Sequence, residues 1–225
     1  MDKNKMLAAV ERSPAAVAAQ DRKAWLGLFA ELAIIEDPVG SAPHISGLYD
    51  PRSGGRNNAP LRRFYDAFIK GNTIEFVTDK DFVSGNTVMR DLALQLQVQG
   101  MRATVPMHLM YELIEEEGTL KVQRLAAHWE FMAVSRQMLG SRLSGMFAYS
   151  ARLLAQLGVA GLVGFSRAAF NIGATGKRLV EQFIQANNAQ QWAQLGALFE
   201  PAARGVDCGD GGGFVSSREL AARQW

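Results

Sequence analysis

Leu92-Ala93-Leu94-Gln95-Leu96-Gln97-Val98-Gln99 places a large apolar residue at every second position. Period two belongs to a strand with one buried and one wet face. Gly100 turns the chain, and Val105, Met107, Leu109, Tyr111 and Leu113 repeat the alternation. Glu115-Glu116-Glu117-Gly118 reads as a hairpin loop and Leu120 to Trp129 as a closing strand. From Thr73 onward, then, the spacing predicts a run of antiparallel strands.

Upstream the period is helical. Leu61, Phe64, Tyr65, Phe68 and Ile69 follow i, i+3, i+4, i+7, i+8, and Gly71-Asn72 stops that helix. Ser13-Pro14 reads as an earlier helix start, a hydroxyl cap followed by a proline whose missing N–H costs nothing there. Val17, Trp25, Leu28, Phe29 and Leu32 then share one helical face. Between the helices, residues 49–58 are turn formers and predict an irregular, mobile loop. Helices first and strands after them predict an α+β unit with the helices on one face of the sheet, ending near Phe131.

Composition narrows the classes without choosing among them. Apolar residues at 48% and charged residues at 20% match a globular chain and exclude a disordered one. A net charge of +2 is too small for a generic nucleic-acid binder. Cys208 stands alone, and His44, His108 and His128 lack ligand spacing, so neither a disulfide nor a metal site is expected. The apolar run after Met1-Asp2-Lys3-Asn4-Lys5 is too short for a secretory core, and the longest uncharged run, Leu153 to Ser166, is about fourteen residues. A cytoplasmic location is the expectation.

Phe131 to Val180 differs in charge. It holds Arg136, Arg142, Arg152, Arg167, Lys177 and Arg178 and neither Asp nor Glu, leaving the remainder of the chain at −4. Leu139, Leu143, Met146, Ser150, Leu153 and Leu157 start an amphipathic helix that Gly158, Gly161 and Gly164 weaken. A basic amphipathic surface suits peripheral contact with anionic lipid over 131–180. A helix packed on the first unit with a solvated arginine face fits the same residues.

The tail echoes the start. Leu195-Gly196-Ala197-Leu198-Phe199 parallels Leu26-Gly27-Leu28-Phe29, and Asp207 follows Phe199 by eight residues as Asp37 follows Phe29. The reading is an internal repeat whose second copy has helices over 178–199 and 216–225 and no strands. An apolar stripe there (Leu179, Phe183, Trp192, Leu195, Phe199) would dock on the chain or pair two copies into a homodimer. Three segments follow: 1–132, a basic helical linker 133–177, and an incomplete second repeat 178–225. Gly173 to Arg178 resembles the end of a phosphate loop but has Arg178 where Ser/Thr is required.

One stretch carries chemistry: Ile34-Ile35-Glu36-Asp37-Pro38-Val39-Gly40-Ser41. Pro38 biases Asp37 to an extended backbone, and the apolar flanks would raise a buried carboxyl toward the range useful for proton transfer. An Asp-Pro pair also opens turns with an exposed side chain, and spacing alone leaves both readings open.

Taken with Leu28-Phe29, Arg63-Phe64-Tyr65 and Ala127-His128-Trp129, that run resembles ketosteroid isomerase over about residues 10–132. This family belongs with nuclear transport factor 2 and the SnoaL-like polyketide cyclases, whose curved antiparallel sheet and N-terminal helices form a cone. The resemblance implies a cofactor-free isomerase acting on a steroid-like or polycyclic ketone, with Asp37 as general base. It further implies a pocket for an apolar small molecule lined by Phe29, Tyr65, Phe68 and Trp129. The family's oxyanion hole pairs a tyrosine with a protonated aspartic acid, a carboxyl kept neutral by its apolar site so that it can donate. Neither donor carries over: Ser13 stands at the tyrosine's place and Leu109 or Met110 at the acid's. His108 and Tyr111 are the candidates to replace them, and period two sends their side chains to opposite faces. A binding protein without turnover and a cyclase or dehydratase on the same cone are the alternatives, because a fold does not fix a function.

Overall fold

The alternating stretches become the longest strands of the computed structural model. β6 (Thr87–Val98) and β7 (Met101–Glu116) pair antiparallel from Thr87 opposite Glu112 to Val98 opposite Met101. β5 (Thr73–Ser84) and β8 (Thr119–His128) flank them. β1 (Phe29–Glu36) joins β8 in parallel, and short β2 (His44–Ser46) forms the far edge, giving the order β2-β1-β8-β7-β6-β5. The curved sheet is antiparallel at every joint except β1–β8. Inward positions of β7, from Met101 through Val105, Leu109 and Tyr111 to Leu113, are buried, while the residues between them face outward. The structure describes residues 1–51, 54–141, 143–169, 173–199, 204–206 and 214–216.

Two expectations at the N-terminus change. α1 spans Lys3–Ala18, capped by Asp2, whose carboxylate accepts the Lys5 N–H at 2.9 Å. Ser13-Pro14 therefore lies inside α1, not at its start. Pro14 gives up one hydrogen bond to the preceding turn, and Ser13 is buried. The expected helical face through Leu32 also ends early. α2 is only Arg22–Leu26, and Phe29 begins β1, because its backbone pairs with Val122 of β8. The loop after β2 is partly ordered as a hairpin of β3 (Leu48–Asp50) and β4 (Gly55–Asn57). The helix through Leu61 is α3 (Ala59–Phe64), continued by a π-helical turn over Tyr65–Ile69, and Gly71 at φ 70° redirects the chain.

Arg90 of β6 holds α1 to the sheet. Only 5% of its side chain is exposed, and it pairs with Glu11 of α1 at 2.6 Å and Asp81 of β5 at 2.8 Å. A buried guanidinium is tolerated because it is paired on both sides.

The chain after Phe131 belongs to the same body. α4 (Phe131–Ser141) and α5 (Leu143–Ser166) lie in a unit spanning Met1–Phe170, so the first part of the expected linker packs on the cone. α5 departs from helical geometry at Gly158 (φ 68°, ψ 178°). Ser144–Ala169 is also long and apolar enough to cross a membrane, with Arg152 and Arg167 in it. The uncharged run of about fourteen residues did not show this, because it begins only after Arg152. Nor is Arg152 a solvated cation: it donates to Asn72 Oδ1 at 3.1 Å, to the Asp66 carbonyl at 2.7 Å and to the Lys70 carbonyl. Asp66 lies in the π-helical turn and Lys70 just past its end, so the guanidinium serves as a charged cap there. α5 meets the cone at two further points. A Cβ on Gly145 would lie 2.8 Å from the Gln99 carbonyl, and one on Gly164 would lie 2.7 Å from the Ala42 Cβ, while Ala42 N–H donates to the Gly164 carbonyl at 3.0 Å.

The second unit, Asn171–Trp225, contains α6 (Gly173–Asn188), α7 (Trp192–Ala197) and a hairpin of β9 (Arg204–Val206) with β10 (Phe214–Ser216). The hairpin departs from the expectation of no strands. α6 starts and ends 170 residues after α1. The backbone bonds Ala19→Ala15, Asp21→Ala16 and Trp25→Asp21 recur as Ala189→Gln185, Gln191→Ala186 and Leu195→Gln191. Gln20 (φ 53°) and Gln190 (φ 56°) make the same turn. Asp207, Cys208 and the helix expected over 216–225 lie outside the described residues, apart from Ser216 at the end of β10.

Candidate active site

The inward face of the sheet, α1 and the two later helices enclose a cavity of about 270 Å³. Its wall is mostly apolar: Ile74 and Phe76 from β5, Leu94 and Leu96 from β6, and Val105, Met107 and Leu109 from β7. Asp37 enters this wall because it continues β1 at the parity of buried Ala33 and Ile35. Val39 N–H donates to the Ala127 carbonyl at 2.8 Å, extending the pairing with β8 past the end of β1. The Asp37–Pro38 peptide is cis.

Asp37 is partly buried and lines the cavity, and its Oδ1 accepts the Trp129 indole N–H at 2.6 Å. Burial pushes its carboxyl up to about 6, against the opposing effect of that hydrogen bond. The arrangement produces a carboxylate that is largely ionised at neutral pH yet basic enough to take a proton from a weak carbon acid.

Of the residues expected around it, Phe68 and Trp129 line the cavity with Asp37. Phe29 and Tyr65 are buried behind the wall. Trp25 stands in front of both, with ring centroids 4.7 Å from Phe29 and 5.6 Å from Tyr65. The period of α3 explains this, since Phe64 and Phe68 share a face that Tyr65, one residue on, does not. His108 is corrected outright. Its side chain is 61% exposed on the outer face, and its Nδ1 lies 3.3 Å from Asp91 Oδ1. Tyr111 has the opposite parity and faces the cavity with Ser13. Burial pushes the Tyr111 phenol up to about 12, the Ser13 hydroxyl beside it acting in the other direction.

Leu109, not Met110, is the cavity residue where the resemblance asks for an acid. Ser13 stands where it asks for a tyrosine. The residues that sequence reasoning missed are Trp25, Phe64 and the contribution of α5: Met146, Tyr149, Leu153, Leu162 and Phe165. The spacing of Met146 and Leu153 marked an apolar stripe on α5, but nothing in it showed what the stripe would face. Among the described residues there is no cluster of three His, Cys, Asp or Glu able to hold a metal ion.

No family model and no curated protein matches the chain. Several solved structures are similar over its first part. Δ5-3-ketosteroid isomerase from Mycobacterium sp. is 28% identical, with 58% of this chain and 95% of that one covered, at a TM-score of 0.46. RV0760c from Mycobacterium tuberculosis, in complex with estradiol-17β-hemisuccinate, is 23% identical over 57% and 95%, at 0.46. A computationally designed 17-OHP binder is 20% identical over 57% and 95%, at 0.46. With its long N-terminal helix, a short helical pair and a curved sheet around an apolar cavity, the first part of the chain has a cone-like α+β fold, and those structures are what it is similar to.

Proposed function

We propose that this protein is a cofactor-free proton-transfer enzyme that moves a double bond in an apolar, ring-containing ketone, with Asp37 as general base. The observation that carries the reading is the Asp37 carboxyl, held by Trp129 in an apolar cavity with its pKa raised to about 6. In its ionised form it takes a proton from the carbon between the carbonyl and the double bond. The electron pair moves onto the carbonyl oxygen as a dienolate, and the carboxyl returns the same proton to the far end of the conjugated system. Charge and atoms balance with no co-reactant. Apolar walls orient a ring system without competing for the proton, and exclusion of water protects the dienolate.

The direct test follows the ultraviolet absorbance of conjugated enone formed from a β,γ-unsaturated 3-ketosteroid. Turnover by the natural chain and its loss in Asp37→Asn, with the ketone still bound, is the expected result. Equal activity in Asp37→Asn would overturn it. A second reading, a carrier that binds an apolar molecule without turnover, is favoured by Ser13 and Leu109 standing where the resemblance calls for oxyanion donors. It predicts tight ketone binding with no enone formed. Contact with anionic lipid through the outward residues Phe147, Val159 and Val163 of α5 is a separate proposal, checked by salt-sensitive co-sedimentation with anionic vesicles.

A further inference from the structure

The proposed reaction leaves negative charge on the ketone oxygen, and that charge needs a donor close to the base. The oxygen is bonded to the carbon next to the one Asp37 deprotonates, so both must lie at the Asp37 end of the cavity. Trp129 N–H already donates to Asp37. Ser166 Oγ donates to the Val163 carbonyl at 2.8 Å. Tyr111 and Ser13 line the cavity beside each other from β7 and α1, and the charges that act on Tyr111 are those of Arg90, Glu11 and Asp81. Tyr149 is different. It lines the cavity from α5, and the charges that act on it are those of Asp37 and Arg152.

We infer that Tyr149 is the oxyanion donor of this site, its phenolic O–H donating to the substrate's carbonyl oxygen and strengthening that bond as the dienolate forms. The inference rests on the proposed Asp37 chemistry and adds to it a catalytic residue from outside the cone. Three features suit Tyr149 to the task. Burial and the Asp37 charge both hold its phenol protonated well above neutral pH, so it is a donor whenever the base is ionised. Met146 and Leu153, one turn to either side of it on α5, line the same cavity with apolar groups. Its helix is also fixed against the cone, by Arg152 one turn away and by the close approaches at Gly145 and Gly164. A donor held before the charge develops needs no reorganisation when it does, which is why such groups contribute strongly.

The test pairs Tyr149→Phe with two ligands, a 3-ketosteroid and its 3-deoxy analogue. If the β,γ-unsaturated ketone is turned over, Tyr149→Phe should lower kcat by roughly 10²–10³-fold with a smaller change in KM. Activity within threefold of the natural chain, while Asp37→Asn is inactive, would overturn the donor role and leave the base intact. If nothing is turned over, the enzyme reading fails separately, and binding decides. Weaker affinity of Tyr149→Phe for the ketone but not for the deoxy analogue supports the donor, and equal change for both overturns it. Should Tyr149→Phe not fold, 3-fluorotyrosine at position 149 keeps the shape and makes a stronger donor. The carbonyl stretch of the bound ketone should then move to lower wavenumber, and an unmoved stretch would overturn the assignment.

Discussion

Asp37 sets two pH dependences of opposite kind. Its folded pKa near 6 lies above the ordinary 3.8, so the base form appears as pH rises through about 6. kcat/KM for the enone assay should therefore climb across that range and level off above it. Trp129→Phe removes the N–H that favours the carboxylate, so the acidic limb should move to higher pH. For stability the sign reverses. The folded protein binds the Asp37 proton more tightly than the unfolded chain, so its stability falls as pH rises from about 3.8 through about 6. Two pKa units correspond to about 3 kcal/mol, an upper figure because Asp37 keeps some solvent contact. Asp37→Asn should accordingly raise Tm at pH 8 and leave it nearly unchanged at pH 4, while abolishing turnover. A carboxylate kept at the expense of stability is expected at a working site.

Among the elements, α5 is tied to the end of the π-helical turn by one side chain, Arg152. Arg152→Met keeps the aliphatic stem but leaves the carbonyls around Lys70 without their charged donor. Hydrogen bonds to charged groups contribute about 1.5–3 kcal/mol, so thermal unfolding should show a loss of that order. Gly145→Ala pushes a Cβ against the Gln99 backbone, which cannot rotate away as a side chain would. It should loosen the start of α5 and raise amide exchange there first. The strands were legible because period two in Leu92–Val98 and Val105–Leu113 has one structural meaning. Asp37 was legible because its neighbours in sequence are also its neighbours in space. The first helices were less so. Trp25, Leu28 and Phe29 satisfy a helical spacing, yet pairing of Phe29 with Val122 overrides it, and that partner lies about ninety residues away in the chain. Ser13-Pro14 carried the signs of a cap while the true cap, Asp2, stood a full helix earlier. Tyr65 and His108 were misplaced by one helical step and one strand face, and a family match does not resolve such small shifts. Tyr149 carried no signal at all, since a tyrosine on an amphipathic helix does not reveal what the helix covers.

Across the whole molecule, Met1–Phe170 holds every residue that lines the cavity. A chain ending at Phe170 should therefore unfold cooperatively and keep ketone binding within a few-fold, as calorimetry and ligand titration would show. Loss of binding from such a folded fragment would place part of the site in the second unit. α6 exposes Leu179, Val180, Phe183 and Ile184, so removing it should also change solubility or particle size in ultracentrifugation. The two units share a turn geometry, but their facing residues differ: buried Ser13 corresponds to exposed Phe183 at the same offset. The shared backbone does not reproduce the site.

The wall that α5 provides is one continuous piece of chain, whereas the acid follows β1 and the rest of the lining is dispersed over four strands and the other helices. Much of the selectivity and the general base are thus encoded in separable stretches of the gene. Residues 143–166 act as a cassette. Exchanging the inward apolar positions Met146, Leu153 and Leu162 as a block would recast which ketones enter without touching Asp37, Trp129 or Tyr149, and a library confined to those three codons is small enough to screen exhaustively.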